Sequence, residues 1–210
     1  KKKAGHDKKE MDLTLYKGGR TLVVGDGDLT FSVALSTLNV NHTIVATTYD
    51  TRDQVLLKYP DTAKASLEKL SSRNIPVFHG IDATKLDASF PALLKQKMSV
   101  RKAAKLRAKG LEVEENTTTY RCYPFDRVMF NFPHSGEQRV HINRELLKNF
   151  FTSCRAHLAE ARLDEQGRPL DNTAGRVLVV LKKGQPYDNW DIEEQRSEER
   201  RVGKECRSRW

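Results

Sequence analysis

Four short segments of this chain carry side chains that could bind a ligand or assist a reaction, and each follows a run of apolar or β-branched residues. In an open α/β sheet, ligands bind outside the carboxyl ends of the strands, where the winding reverses. If the four runs are parallel strands, one edge of the sheet gathers three acidic positions and an amide. The segments are Gly25-Asp26-Gly27, Asp50, Asp82 and Asn131-Phe132-Pro133-His134.

The first segment suits a nucleotide-like ligand. It lies between a predicted strand, Thr21–Val24, and a predicted helix, Leu29–Leu38. Glycines let the backbone approach a ligand closely, and the start of a helix offers unpaired N–H groups to an anionic group. The dinucleotide fingerprint Gly-x-Gly-x-x-Gly is incomplete, because Thr30 stands at its third glycine position. The turn alone is equally compatible with a tight connection that binds nothing.

The acids at the next two strand ends match the polar groups of a nucleoside. Asp50 can accept hydrogen bonds from both hydroxyls of a ribose, and Asp82 can accept one from an adenine amino group. Taken singly, each acid is more often explained by turn or helix-cap chemistry. Their occurrence at successive strand ends favours a shared ligand.

The elements that position these segments alternate along the chain, which predicts a mostly parallel, doubly wound α/β sheet with right-handed crossovers. Cys154 falls on the apolar face of the last predicted helix and is expected in the core. The last predicted strand is apolar at every position after Arg176, as expected for a strand buried on both faces. We predict strands over 21–24, 42–49, 74–79, 127–131 and 176–181, and helices over 29–38, 51–59, 62–71, 90–97 and 144–162.

Composition narrows the class of protein. A chain of 210 residues is long enough for one α/β domain. It contains no apolar run of membrane-spanning length and no apolar stretch of the signal-peptide kind near its first residue, so we expect an intracellular protein that is neither secreted nor bound to a membrane. The cysteines show no Cys-x-x-Cys and no Cys/His spacing, and therefore predict neither a metal site nor a disulfide.

The two ends of the chain differ from its middle. We predict a flexible Lys-rich lead-in over residues 1–20 and the folded domain over residues 21–195. Residues 196–210 resemble the in-frame translation of a sequencing adapter, and we expect natural sequence to end near Gln195; the alternative is a genuine basic tail.

The positive charge of the chain favours a polyanionic partner. The full chain has a net charge of +9, and the residues up to Gln195 carry +6. Residues 101–109 hold five basic side chains and no acidic one, which indicates either a solvated helix face or a contact with RNA.

Five motifs together resemble those of a known family. They are GDGDLTFS, ATTYD with KYP after it, GIDATKL, FDRVMFNFPH and LKKGQPYDNW. They are similar to the successive motifs of the eukaryotic Rossmann-like rRNA uridine-N3 methyltransferases, some of which carry an added ferredoxin-fold anticodon-binding domain. The resemblance covers roughly residues 17–192.

The resemblance implies the Rossmann-like fold of S-adenosylmethionine-dependent methyltransferases, with seven strands. An end near Gln195 would remove the last two strands and expose an unpaired sheet edge. The implied substrate is a uridine of large-subunit ribosomal RNA, and the implied partner is that RNA or the pre-ribosome. Residence in the nucleus or nucleolus and a monomeric state are also expected.

The resemblance assigns roles to the four segments. It implies that Gly25, Asp26 and Gly27 approach the methionine part of the cofactor, Asp50 its ribose, and Asp82 with Ala83 its adenine. The fourth segment resembles the Asn/Asp-Pro-Pro-aromatic turn of nitrogen-methylating enzymes, which holds the target nitrogen in line with the methyl group. The chain departs from that pattern at Phe132 and His134.

The mechanism that follows requires uridine N3 to lose its proton before it attacks the methyl group. We expect positioning to dominate and a base to assist. The candidate catalytic residues are Asn131, Phe132, Pro133 and His134. His134 is the candidate general base, although it could equally cap the turn or stack on the target uracil.

The sequence does not decide which other residues contact RNA. Phe132 or His134 could stack on an extruded uracil, and Lys182, Lys183 and Arg127 could contact phosphates or remain solvated.

Two other functions are compatible with parts of this pattern. The first turn and Asp50 alone would allow a nicotinamide-dependent oxidoreductase, although the missing third small residue and the Asn131 turn count against it. A non-catalytic module that binds the cofactor or RNA would keep the same fold without turnover.

Overall fold

The computed structural model describes residues 18–38, 42–89, 124–170 and 173–200. Within these ranges five strands form one parallel sheet in the order β3-β2-β1-β4-β5. The strands are β1 Gly19–Val24, β2 His42–Thr47, β3 Val77–Phe78, β4 Arg127–Asn131 and β5 Arg176–Val180.

The direction of winding reverses between β1 and β4. The chain leaves β1 for β2 and β3 on one side and then returns to place β4 and β5 on the other side. Val24 of β1 is paired with Phe130 of β4, so the turn after β1 lies beside the end of β4. This confirms the predicted mostly parallel, doubly wound, Rossmann-like α/β fold. A sheet of this kind opens a crevice between β1 and β4 at the carboxyl edge.

Six α-helices connect and flank the strands in the described residues. Thr51 caps α2: its hydroxyl accepts a hydrogen bond from the Gln54 backbone N–H, and the Gln54 side chain accepts one from the Thr51 N–H. The helices are α1 Thr30–Thr37, α2 Arg52–Lys58, α3 Pro60–Ser72, α4 Leu86–Ser89, α5 Val140–Cys154 and α6 Ile192–Arg200.

The helix predicted over 144–162 is shorter and begins earlier. After Cys154 a single 3₁₀ turn follows, and the chain then extends beside the segment that enters β4. The Phe125 N–H donates to the His157 carbonyl at 2.8 Å, and the Ala159 N–H donates to the Phe125 carbonyl at 2.8 Å. Leu158 therefore packs against the core from an extended backbone, although its spacing suited a helix.

Two other predictions for the sheet were wrong: the third strand is shorter than predicted, and the fifth is less buried. The third strand was predicted over 74–79, but only Val77 and Phe78 form the ladder. The fifth strand was predicted to be buried on both faces. It is only partly buried, and Val180 remains 37% exposed, because β5 is the outer strand of the described sheet.

The core lies mainly between the sheet and α5. Phe130 of β4 meets Phe150 of α5 edge to face, with ring centroids 5.0 Å apart, and Cys154 is fully buried as predicted. Trp190, which lies in a 3₁₀ turn before α6, is buried in the same cluster. This packing holds β4, and hence the segment that follows it, against a rigid layer.

Some predictions concern segments that the structure does not settle. Helix α6 runs to Arg200 and so includes the first five residues of the predicted tail, and the proposed end of the domain at Gln195 stays a prediction. The predicted helix over 90–97, the basic run 101–109 and the lead-in before Gly18 lie outside the described residues. Two further strands also stay a prediction.

Candidate functional site

The first turn is built on Gly25, whose backbone requires glycine. Its φ of +65° lies in the left-handed region, and a Cβ at this position would lie 2.7 Å from Cε2 of Phe130. Gly27 has an ordinary φ, but its Cβ would lie 3.2 Å from the hydroxyl of Tyr59. The two aromatic rings therefore pack closely against the turn, and only residues without a side chain fit at Gly25 and Gly27 without a shift of these rings.

Asp26 ties this turn to its surroundings. Its N–H donates to the Thr47 carbonyl of β2 at 3.0 Å, and its Oδ2 accepts bonds from the N–H of Ser32 at 2.7 Å and from its hydroxyl at 2.5 Å. Burial raises the pKa of the Asp26 carboxyl above its ordinary 3.8, although the bonds from Ser32 oppose the shift. The carboxylate therefore fixes the entry to α1 in addition to any contact it makes with a ligand.

Asp50 lies beyond the end of β2 and is only partly exposed. Its Oδ2 accepts a hydrogen bond from Lys58 Nζ at 2.7 Å. Its backbone carbonyl accepts bonds from the Gly80 N–H at 3.1 Å and from the Thr48 hydroxyl at 2.8 Å. The segments after β2 and β3 are thus joined, and the carboxylate is held at the sheet edge.

Thr48 and His79 form a polar contact that sequence reasoning missed. The buried Thr48 hydroxyl lies 2.8 Å from His79 Nδ1 and donates its one proton to the Asp50 carbonyl, so His79 must donate from Nδ1. Burial, with Arg52 nearby, lowers the pKa of His79 below its ordinary 6.5. Both residues looked like ordinary strand residues, and no sequence signal set them apart.

Asp82 caps a short 3₁₀ turn with one oxygen and leaves the other available. Its Oδ1 accepts bonds from the N–H of Thr84 at 2.9 Å and from its hydroxyl at 2.7 Å. Within the described part of the chain, no donor contacts its Oδ2. Ala83, the first residue of the turn, is buried. The cap therefore fixes the Asp82 carboxylate while leaving one acceptor oxygen for a ligand.

Asn131 is the last residue of β4 and lies at the carboxyl edge of the sheet. Its Oδ1 is buried and has no hydrogen-bond partner in the described structure. The next residue, Phe132, adopts φ +51° and donates its N–H to the Val180 carbonyl at 2.8 Å. Its ring is 56% exposed, whereas Pro133 is buried. A left-handed backbone at a phenylalanine lowers the stability of the fold, and such strained residues are typical of functional sites.

The His134 side chain is held in place by a hydrogen bond and by contact with a second ring. Its Nδ1 accepts a hydrogen bond from the Gly136 N–H at 2.8 Å, and its ring lies 5.7 Å from that of Trp190. A neutral imidazole with an acceptor at Nδ1 carries its proton at Nε2. In this arrangement the side chain is a hydrogen-bond donor at Nε2, and its one basic nitrogen is occupied.

Asn143 anchors the loop that follows His134, and sequence reasoning missed it as well. Its buried side chain accepts two bonds from Ser135, from the N–H and the hydroxyl, each at 3.0 Å. Its Nδ2 donates to the carbonyls of Glu137 at 2.8 Å and Arg139 at 3.0 Å. A signal existed: Asn143 lies four residues before buried Leu147, so a polar side chain occupies the apolar face of α5.

The structure brings the predicted cofactor and catalytic segments to the carboxyl ends of four neighbouring strands. Lys182 and Lys183 follow β5 at the same edge, and Lys182 Nζ lies 5.9 Å above the Tyr187 ring. Arg127 does not belong to this edge, because it begins β4 at the opposite one. Among the described residues there is no cluster of three His, Cys, Asp or Glu that could hold a metal, and no helix that could span a membrane.

These observations define a Rossmann-like α/β protein whose candidate site lies at the carboxyl edge, beside the β1/β4 switch point. A family model described as rRNA (uridine-N3-)-methyltransferase BTM5-like matches residues 22–208, and the chain belongs to this family of methyltransferases. The resemblance of the five motifs is thereby confirmed.

Individual relatives agree with the family. The chain is 24% identical to the 25S rRNA (uridine(2634)-N(3))-methyltransferase of Saccharomyces cerevisiae over 81% of its own length and 56% of that protein. It is 33% identical to human ferredoxin-fold anticodon-binding domain-containing protein 1, over 79% of the chain and 20% of that protein. The chain thus spans about half or less of these relatives. TrmN from Thermus thermophilus is similar with a TM-score of 0.44 and 18% identity, over 80% of this chain and 35% of that one.

Proposed function

We propose that this chain transfers the methyl group of S-adenosylmethionine to N3 of a uridine in large-subunit ribosomal RNA. Membership of the family supports the reaction, and one observation supports the site: the buried, unpartnered Oδ1 of Asn131. An unpaired buried acceptor costs about 1–3 kcal/mol. A substrate N–H would recover that cost, and uridine carries such a group at N3.

The carboxyl edge fits S-adenosylmethionine. Gly25 and Gly27 carry no side chains, so the methionine part could approach the backbone of this turn beside Asp26. Asp50 would accept from the ribose hydroxyls, and the available Oδ2 of Asp82 would accept from the adenine amino group, with Ala83 against the ring. When bound, S-adenosylmethionine supplies an electrophilic methyl group.

Asn131 and Phe132 would place the target base. Asn131 Oδ1 would accept the N3–H of the bound uracil and so set where N3 lies. That proton has to leave before N3 can take up the methyl group, and because Nδ1 of His134 is engaged by Gly136 we assign the proton to solvent water. The exposed ring of Phe132 offers a stacking surface for a base taken out of its helix, an interaction worth about 1–3 kcal/mol. Because a misplacement of ~1 Å can cost about 100-fold in rate, this placement is the main catalytic contribution that we propose.

The contacts of His134 favour a positioning role over the base role predicted from the sequence. A base must offer a lone pair, and that of Nδ1 is engaged by Gly136. Nε2–H would instead donate to a uracil carbonyl, while the contact with Trp190 holds the ring in place.

We expect His134→Gln to lower kcat by less than about tenfold, because an amide can replace both a donor and an acceptor. Loss of a general base costs about 10²–10⁴-fold. Single-turnover methylation of an RNA substrate measures the difference. A loss greater than 100-fold would restore His134 as the base.

Replacement of Asp50 by alanine is expected to weaken S-adenosylmethionine binding by about 10- to 100-fold. The change removes hydrogen bonds to a charged acceptor, which contribute about 1.5–3 kcal/mol. Isothermal titration calorimetry with the cofactor measures the affinity directly. Little stability should be lost, because the Asp50–Lys58 ion pair is partly exposed and such pairs contribute about 0–1 kcal/mol.

Lys58→Ala is the matched control for that experiment. It breaks the same ion pair but keeps the carboxylate, so cofactor affinity should remain within about threefold of the unaltered chain. Equal losses in the two variants would show that the pair, and not the ribose contact, supports binding. That result would remove our assignment of Asp50.

The other two functions are distinguished by simple titrations. A nicotinamide-dependent oxidoreductase would bind NAD. We expect calorimetric titrations to show that the chain binds S-adenosylmethionine and does not bind NAD. A non-catalytic module would bind the cofactor but transfer no methyl group.

An rRNA substrate makes the pre-ribosome the proposed partner and the nucleus or nucleolus the proposed place of reaction.

A further inference from the structure

A second cleft lies at the amino edge of the sheet, on the side opposite the methyl-transfer site. It has a volume of about 600 Å³, and the first residues of β1, β4 and β5 line it. Strands rise about 3.3 Å per residue, so the two edges are separated by roughly 15–20 Å along β1. A ligand in this cleft cannot be the cofactor bound at the carboxyl edge.

The cleft is strongly basic. Its lining contains four guanidinium groups and two carboxylates, which leaves a net charge of +2. Asp126 neutralises one of the arginines, because its Oδ2 accepts from the Arg20 N–H at 2.7 Å and from Arg20 Nε at 3.3 Å. The lining charges are Arg20, Arg127, Arg162 and Arg176 against Asp126 and Glu160.

Two of these arginines lie side by side at the start of neighbouring strands. Arg127 and Arg176 are direct partners in the register of β4 and β5. Burial lowers the pKa of Arg127, the Asp126 carboxylate opposes this shift, and the charge of Arg176 adds to it. The register therefore concentrates two positive charges at one point of the cleft, where an anion would be attracted to both.

We propose that this amino-edge cleft binds the phosphate backbone of the RNA substrate. The proposal rests on the proposed function and names a second contact for the same RNA. Guanidinium forks match phosphate oxygens in geometry and charge. Gly18, which directly precedes β1, lines the cleft, and the 17 residues before it in the sequence include six lysines and three acidic residues.

The test uses the full chain, S-adenosylmethionine and a labelled RNA hairpin with unmodified uridines. Binding of the RNA is measured over a range of salt concentrations for the double variant Arg162→Gln/Arg176→Gln. Each lost phosphate contact should reduce the magnitude of the slope of log K against log [salt] by about 1, so we expect a reduction of about 2. Affinity for S-adenosylmethionine should not change, which shows that the variant is folded.

Two companion variants keep the test decisive. Lys64→Gln/Lys69→Gln removes two exposed charges from α3, away from the cleft, and should leave the slope unchanged. Arg162→Glu reverses one exposed charge in a loop, and should weaken RNA binding even if the double variant does not fold.

Three outcomes would overturn the proposal. Equal slopes in the arginine and lysine variants would remove the cleft from the RNA path while leaving the proposed methyl transfer intact. Displacement of RNA by inorganic pyrophosphate at matched ionic strength, lost in the arginine variant, would assign the cleft to a small phosphate ligand instead. Failure of the unaltered chain to bind the RNA at all would overturn the proposed RNA substrate and the cleft together.

Discussion

Replacing Asn131 with alanine is expected to lower kcat for methyl transfer by about 100- to 1000-fold. The change removes the one buried acceptor that would hold uridine N3, and loss of a positioned polar group in an active site has effects of this size. Because Oδ1 has no partner within the described protein, its removal should raise the free energy of unfolding by up to about 1–3 kcal/mol, the cost of the unpaired acceptor. Single-turnover kinetics and urea denaturation measure the two quantities.

Asn131→Asp is the matched control for this variant. It keeps an acceptor oxygen at the same place and should retain more activity than the alanine variant. Both variants should bind S-adenosylmethionine as the unaltered chain does, because the cofactor contacts lie on other strand ends. Methyl transfer at an unchanged rate in Asn131→Ala would remove Asn131 from the mechanism.

Replacing Gly25 with alanine is expected to cost about 2–5 kcal/mol of stability. A left-handed conformation costs an L-residue about 1–2 kcal/mol. The added Cβ would also lie 2.7 Å from the Phe130 ring, and such overpacking costs about 1–3 kcal/mol. Phe130 cannot move freely, because it is buried and packs edge to face against Phe150. Urea unfolding followed by tryptophan fluorescence measures the loss.

Gly80→Ala separates the two causes. Gly80 has nearly the same φ, +70°, but nothing lies within 4 Å of its added Cβ. It should therefore show only the conformational cost of about 1–2 kcal/mol. If Gly25→Ala costs no more than Gly80→Ala, the turn is not restricted by Phe130, and our account of the first segment is wrong.

The sequence was sufficient to predict the sheet and the edge that carries the site. Strand β4 was predicted with its exact bounds, because apolar runs are encoded by neighbouring residues. Family motifs suggested roles that chemistry alone left open at Asp50 and Asp82, and these roles stay predictions.

Features that depend on distant contacts were not predictable in this way. The end of α5 at Cys154 is set by hydrogen bonds to Phe125, which is about 30 residues away in sequence. The exposure of β5 depends on its place as the outer strand. The orientation of His134 follows from one backbone N–H, that of Gly136, and no residue pattern shows which ring nitrogen it engages.

The most direct test of the account is nucleoside mass spectrometry of large-subunit rRNA incubated with the purified chain and isotopically labelled S-adenosylmethionine. We expect label in 3-methyluridine, and incorporation about 100- to 1000-fold slower when Asn131→Ala replaces the unaltered chain. Label on another atom or nucleoside, or no transfer from a chain that binds both the cofactor and the RNA, would contradict the proposed reaction.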